Sequence, residues 1–230
     1  AELQKRASAV RGSDAALRLG HAFKRMEEFG LAHAVAARAL WGPAYFAHQP
    51  EALALLYPKA FEPFVRSAAT SQGVDPFWMW SLMRRESAFR PNVTSGADAR
   101  GLMQFIPKTA KAVAAALSLP PPEPSDLYRP ELNVKLAAWY LAALHRRFGH
   151  PALVAAAYNA GPPAVLRWLG ERGDVPLDAF VEEIPYKETR AYVKQVLADY
   201  HLYHALYGDL KARPRLDFVL PKPTLDGVSF

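Results

Sequence analysis

The chain has 230 residues, of which 51% are hydrophobic, and it contains no cysteine. This length supports one sizeable core, or a core with a smaller appended unit, and the lack of cysteine excludes disulfides and thiolate metal sites. The formal net charge of +6 suits an anionic polymer such as nucleic acid, a membrane surface or the bacterial wall, but an ordinary solvated basic surface would give the same charge.

Membrane segments and leader sequences are not evident in the chain. No apolar stretch is long enough to cross a bilayer, so we expect no integral membrane segment. Residues 1–5, AELQK, lack the apolar core of a signal peptide. Three explanations stay open: the signal has been removed, the chain is a fragment, or the protein is cytoplasmic.

The first predicted unit is a short helical segment over residues 1–58. Alanine, leucine and arginine are abundant and alternating apolar–polar runs are hard to find, so the sequence predicts an all-α fold. Ser13 is predicted to cap the first helix and Gly30 to end it. A second helix is predicted over 31–41, and a third begins near Pro50. Paired short helices of this kind are similar to a piece of an α-solenoid.

The second predicted unit spans residues 59–211, after Tyr57 and Pro58 interrupt the helical pattern. Asp75 and Pro76 predict a helix start, because a carboxylate can cap the helix and proline suits its first position. That helix is expected to end near residue 88. Further helices are predicted to open at residue 107, to span 131–148 and 151–160, to open again at 162, and to span 188–207. The remaining residues, 212–230, contain three prolines and are predicted to be extended on the surface or mobile.

Glu86 lies near the end of the helix that Asp75 starts, at an unusual position for a carboxylate. Met83 follows Met79 by four residues and Glu86 follows it by seven, so Glu86 continues an apolar face. Loss of hydration there raises the pKa of a carboxyl group, as a general acid working near neutral pH requires. The alternative is a helix-end glutamate that turns to solvent or pairs with Arg84 or Arg85.

Three sequence blocks occur in order from Glu86 onwards. The first reads ESAFRPNVTSGADARGLMQFIPKTA and starts at Glu86, the second is AYNAGP at 157–162, and the third is EEIPYKETRAYV at 182–193. Together they resemble the signature of the soluble lytic transglycosylases, lysozyme-like enzymes of the bacterial periplasm. The resemblance covers roughly residues 60–207, and three ordered blocks are far more specific than one. It implies a helical lysozyme-like catalytic domain, preceded here by part of a larger helical scaffold.

The resemblance also implies an activity, with Glu86 as the catalytic acid and base. Such an enzyme cleaves the MurNAc-GlcNAc β-1,4 bond of peptidoglycan and leaves 1,6-anhydro-MurNAc ends. Glu86 would protonate the leaving oxygen and then take the proton of the 6-hydroxyl that attacks C1. The substrate's acetamido group would do the work of the second carboxylate found in ordinary glycosidases. The alternatives are a goose-type lysozyme, which is a hydrolase, and a catalytically silent peptidoglycan-binding module.

The three blocks supply predicted substrate-binding residues, which are Ser95, Met103, Gln104, Tyr158, Asn159 and Glu182. Ser95 is expected to hydrogen-bond the Glu86 carboxyl or the substrate acetamido group. Gln104 is expected to bind sugar hydroxyls or an amide, and Tyr158 to orient the acetamido group or a carboxyl oxygen. Each has a structural alternative. Ser95 is then a loop serine bonded to local backbone, Gln104 a polar residue at a helix start, and Tyr158 a core tyrosine with a satisfied hydroxyl.

Three further polar residues have two interpretations each. Asn159 is either a substrate contact or a structural residue that bonds backbone at a helix C-terminus beside Gly161. Glu182 either contacts a sugar or peptide near the cleft or is an exposed surface charge. Asp98 stands where the family usually has glycine, so we expect a positive φ angle, which aspartate tolerates better than most residues. Asp98 is also the acidic residue that we expect to be the strongest candidate for a second base.

The predicted partner is the peptidoglycan glycan strand, and the sequence leaves protein partners open. No nucleic acid is expected, because the tryptophans are not interleaved with basic residues. No cofactor and no metal are expected either, since His201 and His204 lack an evident third ligand and are interpreted as surface histidines. The resemblance implies a periplasmic or cell-envelope location.

Overall fold

The computed structural model describes residues 13–39, 49–209 and 219–222. Within these ranges the chain is helical, and β-structure is limited to the isolated bridges of Arg100 with Thr94 and Phe105. The predicted all-α class is therefore confirmed. In the same ranges, none of the helices is both long and apolar enough to span a membrane. The predicted end of the second helix and most of the segment 212–230 lie outside the described residues.

In the described part of the N-terminal segment, residues 13–39 and 49–58, the helices are α1 (Ser13–Arg25), α2 (Phe29–Ala39) and α3 (Gln49–Leu56). They pack around a small core of their own, which consists of Ala16, Leu17, Phe23, Ala32, Val35, Ala36, Ala52 and Leu55. The prediction that Gly30 ends the first helix was wrong. The chain leaves α1 at Arg25 and turns through Glu27, whose φ is 59°, and Gly30 lies inside α2.

The larger unit contains the remaining helices, most of which begin with a proline in the first turn, where its missing N–H is not needed. They are α4 (Glu62–Gln72), α5 (Pro76–Ser87), α6 (Pro107–Ala116), a 3-10 turn (Pro124–Tyr128), α7 (Pro130–Phe148), α8 (Pro151–Ala160), α9 (Pro162–Arg172), α10 (Leu177–Glu182) and α11 (Lys187–Tyr207). These bounds agree closely with the helix starts and ends that were predicted after residue 59.

Helix α8 lies at the centre of this unit and packs against α7, α9 and α11. Its residues 152–157 are fully buried, and four of them are alanines, whose small side chains let the neighbouring helices approach closely. Helix α5 runs antiparallel to α11, because Asp75 at its start meets Tyr200 while Glu86 near its end meets Tyr192. This pairing brings residues more than 100 positions apart to the same place.

The small and large cores are separate clusters, and the break between them falls between Leu55 and Ala60. Polar contacts join the two units at this junction. The Tyr57 hydroxyl donates to Asp199 at 3.2 Å, and Arg84 Nε donates to the Leu56 carbonyl at 3.0 Å. A domain boundary near residue 58, with a second domain over 59–211, therefore stays our proposal.

Candidate active site

The start of helix α5 is built as its sequence predicts. The Asp75 carboxylate accepts a hydrogen bond from the Phe77 N–H at 2.8 Å, and Pro76 occupies the first helical position. Met79 and Met83 are fully buried. Glu86 is the penultimate residue of the helix and lies on the side that these residues define.

Glu86 combines a buried carboxyl with one strong hydrogen bond. Burial is the main cause that raises its pKa to about 7, the nearby charge of Glu188 adds to the shift, and a hydrogen bond from Tyr192 opposes it. The Tyr192 hydroxyl donates to Oε1 of Glu86. Burial and the charge of Glu86 raise the pKa of Tyr192 well above its usual range, so the tyrosine remains a donor. Both protonation states of Glu86 are thus populated near neutral pH.

The two arginines that precede Glu86 do not pair with it. Arg84 Nη1 lies 3.1 Å from Asp199 Oδ2, and Arg85 Nε lies 2.5 Å from the same oxygen. Asp199 is 1% exposed. Both guanidinium groups are therefore engaged by Asp199, and the alternative in which Glu86 pairs with Arg84 or Arg85 is contradicted. Without a cation beside it, Glu86 is not held in its charged form.

Asn133 on α7 holds the loop that follows Glu86, and the sequence reasoning missed it. Its Oδ1 accepts from the Met103 N–H at 2.7 Å, while Nδ2 donates to the Arg100 carbonyl at 3.0 Å and the Leu127 carbonyl at 2.8 Å. The side chain is fully buried. A Cβ on Gly101 would lie 2.0 Å from the Leu127 carbonyl oxygen, so only glycine fits there. A polar residue among the apolar positions of α7 was the available signal.

Met103 and Tyr158 interact through the backbone of this loop. The Met103 side chain is fully buried, which corrects the prediction that it contacts substrate directly. The Tyr158 hydroxyl donates to the Met103 carbonyl at 2.7 Å. Tyr158 also lies within electrostatic range of Glu86, and burial raises its pKa well above the usual range.

Ser95 and Gln104 are both bound to their own loop. Ser95 Oγ accepts from the N–H groups of Ala97 at 3.2 Å and Ala99 at 3.1 Å, so it is a turn serine, and its predicted bond to Glu86 is not formed. Gln104 Nε2 donates to the Gly101 carbonyl at 2.8 Å. The amide is thereby fixed in orientation.

An open pocket of about 240 Å³ brings together three of the predicted binding residues. Gln104, Tyr158 and Asn159 line it, and so does Ile106, an apolar side chain that is 46% exposed. Asn159 Oδ1 accepts from Thr189 Oγ1 at 2.6 Å rather than bonding helix backbone as its structural alternative held. The pocket offers amide and hydroxyl groups beside an apolar surface, which is the usual composition of a small-molecule site.

Two acidic residues named in the sequence analysis, Glu182 and Asp98, are exposed and paired with cations. The Glu182 side chain is 61% exposed and lies 2.8 Å from Lys194 Nζ, outside the pocket described above. The Asp98 side chain is 56% exposed and forms an ion pair with Arg100 at 2.7 Å. Its φ angle is 61°, so the expected positive φ is confirmed.

His204 is not a surface histidine as predicted. It is 8% exposed, and its Nε2 lies 2.8 Å from Asp75 Oδ2, which ties the end of α11 to the start of α5. Among the described residues, no group of three histidine or acidic side chains is placed to hold a metal ion.

Comparison with known protein families gives two matches on this chain. The model of the transglycosylase SLT domain matches residues 63–180, and that of the soluble lytic transglycosylase helical domain matches residues 183–212, which contain α11. The soluble lytic murein transglycosylase of Salmonella typhimurium is 39% identical over 168 residues, or 72% of this chain. A putative soluble lytic murein transglycosylase of Haemophilus influenzae is 38% identical over 166 residues, or 71% of this chain. The chain spans only 25% and 28% of the length of these two relatives, respectively.

Solved structures give a consistent result. The crystal structure of the 70 kDa soluble lytic transglycosylase of Escherichia coli has a TM-score of 0.75 and 30% identity, covering 87% of this chain and 32% of that one. An inactive mutant of the lytic transglycosylase Slt of Pseudomonas aeruginosa has a TM-score of 0.76 and 29% identity, covering 94% and 35%. The matched part of the chain includes some of residues 1–58, since coverages of 87% and 94% exceed the share that residues 59–230 make up.

Proposed function

Since the chain belongs to the soluble lytic transglycosylase family, we propose that it cleaves the β-1,4 bond between N-acetylmuramic acid and N-acetylglucosamine in bacterial peptidoglycan, leaving 1,6-anhydro ends. One observation carries this proposal. Burial raises the pKa of Glu86 to about 7, so one side chain can both donate and accept a proton near neutral pH. No cofactor takes part in the scheme.

Glu86 acts first as the acid. Its Oε1 is held by Tyr192, and no hydrogen bond from the described residues reaches Oε2, so we assign the proton transfer to Oε2. Protonated Glu86 gives its proton to the glycosidic oxygen as the bond from C1 to that oxygen breaks. The acetamido oxygen of the same sugar stabilises C1 in place of a second carboxylate.

Glu86 then acts as the base. Its carboxylate takes the proton of the 6-hydroxyl, whose oxygen attacks C1 and closes the anhydro ring. The acetamido group leaves C1, and Glu86 is protonated again as at the start. No water is consumed, which distinguishes this cleavage from hydrolysis.

The environment of the other acidic residues supports a single catalytic carboxylate. Asp98 and Glu182 are exposed and each is paired with a cation. Glu188 is close enough to raise the pKa of Glu86, and its proposed role is that electrostatic effect alone. It is the acidic residue whose removal tests the scheme most severely.

Substrate contacts are proposed for the residues that line the pocket described above, whose Tyr158 lies within electrostatic range of Glu86. Gln104 and Asn159 present fixed amides suited to sugar hydroxyls and acetamido groups, and the Tyr158 oxygen can accept a further hydrogen bond. The exposed face of Ile106 provides an apolar surface for a sugar ring. Peptidoglycan lies in the cell envelope, so we propose that the protein works there.

Product analysis tests this function. Purified peptidoglycan sacculi are digested with the protein, and the released fragments are identified by mass spectrometry. We expect muropeptides with 1,6-anhydro ends, which are lighter than the hydrolytic products by one water molecule. Fragments with reducing ends would identify a goose-type lysozyme instead, and binding without release would identify a silent module.

A further inference from the structure

Helix α5 ends one residue after Glu86, in a turn that non-glycine residues rarely adopt. Ala88 and Phe89 have φ angles of 49° and 63°, in the left-handed region where the Cβ crowds the backbone. The hydrogen bonds of the turn are long for their type: the Ala88 N–H to the Arg84 carbonyl and the Arg90 N–H to the Ser87 carbonyl are both 3.2 Å. Such conformations persist where the surrounding structure holds them.

Helix α2 of the N-terminal segment covers this turn. A Cβ on Gly30 would lie 2.5 Å from Arg90 Cγ and 3.3 Å from the Ala88 carbonyl oxygen, so the backbone of α2 reaches the turn itself. The ring of His33 meets the fully buried ring of Phe89 edge-on, with centroids 5.5 Å apart. Gly30 is the second residue of α2, and these close contacts leave little room there for a larger side chain.

The N-terminal segment is fixed to the larger unit at two further points. Phe29 at the start of α2 packs against Phe61 with centroids 5.3 Å apart. The carbonyl of Leu56 at the end of α3 accepts a hydrogen bond from Arg84, one helical turn from Ala88. Helix α2 is therefore held in place where it covers the turn.

We propose that helix α2 is a positioning element for Glu86, in which Gly30 and His33 are positioning residues that hold the turn at Ala88 and Phe89 closed. The proposal rests on the function proposed above, in which Glu86 is the catalytic acid and base. A displacement of about 1 Å at a reacting group costs on the order of 10²-fold in rate. The N-terminal segment would thus raise the rate without contacting substrate.

Gly30→Ala in the full chain tests this directly, because the added methyl group displaces the Arg90 side chain, whose Nε donates to the Ser87 carbonyl in the turn, and crowds the Ala88 carbonyl oxygen. The matched control is Gly170→Ala in α9, where an added Cβ meets no heavy atom within 4 Å. Both changes replace a glycine in a terminal turn of a helix by alanine. On soluble peptidoglycan strands, we expect Gly30→Ala to lower kcat at least about tenfold, with KM and circular dichroism close to those of the control.

The pH profile separates positioning from a general structural effect. Activity that needs protonated Glu86 falls as the pH rises through its pKa. If Gly30→Ala moves the carboxyl out of its buried environment, its pKa drops toward the ordinary value and this fall moves to lower pH. If the activity of Gly30→Ala falls at the same pH as that of the wild type, and its kcat equals the wild-type kcat, the positioning role is overturned.

Failure of the positioning role of α2 can be distinguished from failure of the proposed function. An inactive Glu86→Gln together with a fully active Gly30→Ala would refute only the role of α2, whereas an active Glu86→Gln would refute the function. If Gly30→Ala loses helical signal, His33→Ala tests the same role through Phe89. A fall in kcat of at least about threefold with the shifted pH profile would support the proposal, and unchanged kinetics would overturn it.

Discussion

The hydroxyl of Tyr192 on α11 donates a hydrogen bond to Oε1 of Glu86 on α5, and this bond links two helices whose contacting residues are 106 positions apart. A hydrogen bond to a carboxylate favours its charged form, so Tyr192 lowers the pKa that burial raises. Tyr192 thus has two effects: it orients the carboxyl group and it keeps the pKa within reach of neutral pH.

Tyr192→Phe removes the hydroxyl and keeps the ring. We expect the pKa of Glu86 to rise, because the opposing hydrogen bond is lost, and the fall of kcat on the alkaline side to move to higher pH. We also expect kcat at its optimum to fall about tenfold or more, since Oε1 is no longer fixed. Rates measured from pH 5 to 9 check both effects. A profile that stays in place would mean that the hydrogen bond does not set the pKa.

Glu188→Gln removes the negative charge that raises the pKa of Glu86. The pKa is then expected to drop, so the alkaline fall of kcat moves to lower pH, in the direction opposite to that of Tyr192→Phe. The rate at the new optimum should stay within about tenfold, a barrier change below about 1.4 kcal/mol.

Glu183→Gln is the matched control for Glu188→Gln, because Glu183 pairs with Arg172 at 3.5 Å and does not contribute to the shift at Glu86. A rate for Glu188→Gln as low as that of Glu86→Gln, with the fold intact, would show that two carboxylates are needed.

Asp98→Asn removes the exposed charge and keeps a side chain that tolerates positive φ. We expect the variant to release anhydro-muropeptides at a rate within about tenfold of the original, or about 1.4 kcal/mol of barrier. Chromatography of the released products measures this. Loss of activity in a folded variant would make Asp98 a second base and the enzyme a lysozyme.

Asp199→Asn tests the buried network behind the site. The change leaves Arg84 and Arg85 with side chains only 14% and 25% exposed and without their carboxylate partner. Breaking a buried pair in this way costs about 3 kcal/mol or more, so we expect the melting temperature to fall by roughly 6 °C or more.

Glu62→Gln provides the comparison, since Glu62 forms ion pairs with Lys59 and Arg66 near the surface and such pairs contribute about 1 kcal/mol or less. Equal melting temperatures for the two variants would show that the Asp199 network does not stabilise the fold.

Local features of the site could be read from the sequence. The start of α5 is marked by the capping carboxylate of Asp75 and the proline that follows it. The helical spacing of Met79, Met83 and Glu86 places Glu86 on the apolar side of the helix. The positive φ of Asp98 followed from the glycine that the family has there. These features involve neighbouring residues, so no knowledge of the tertiary structure was needed.

Features that depend on distant contacts could not be read in the same way. The pairing of Arg85 with Asp199 joins residues 114 positions apart, and it decides that the arginine does not neutralise Glu86. Gly30 was interpreted as a helix end because glycine commonly takes that place, whereas the close approach of Arg90 explains it. His204 was assigned to the surface for lack of any sign that Asp75 lies beside it.

The activity of Glu86→Gln decides whether Glu86 is the catalytic acid and base. The substitution conserves shape and removes a desolvated ionisable group, so circular dichroism should be unchanged and the melting temperature level or higher. The measurement is the rate at which the variant releases 1,6-anhydro-muropeptides from sacculi, compared with that of the original chain. We predict that no release is detected from the variant. Release within about tenfold of the original rate, a barrier difference of only about 1.4 kcal/mol, would contradict the assignment of Glu86 as the catalytic acid and base.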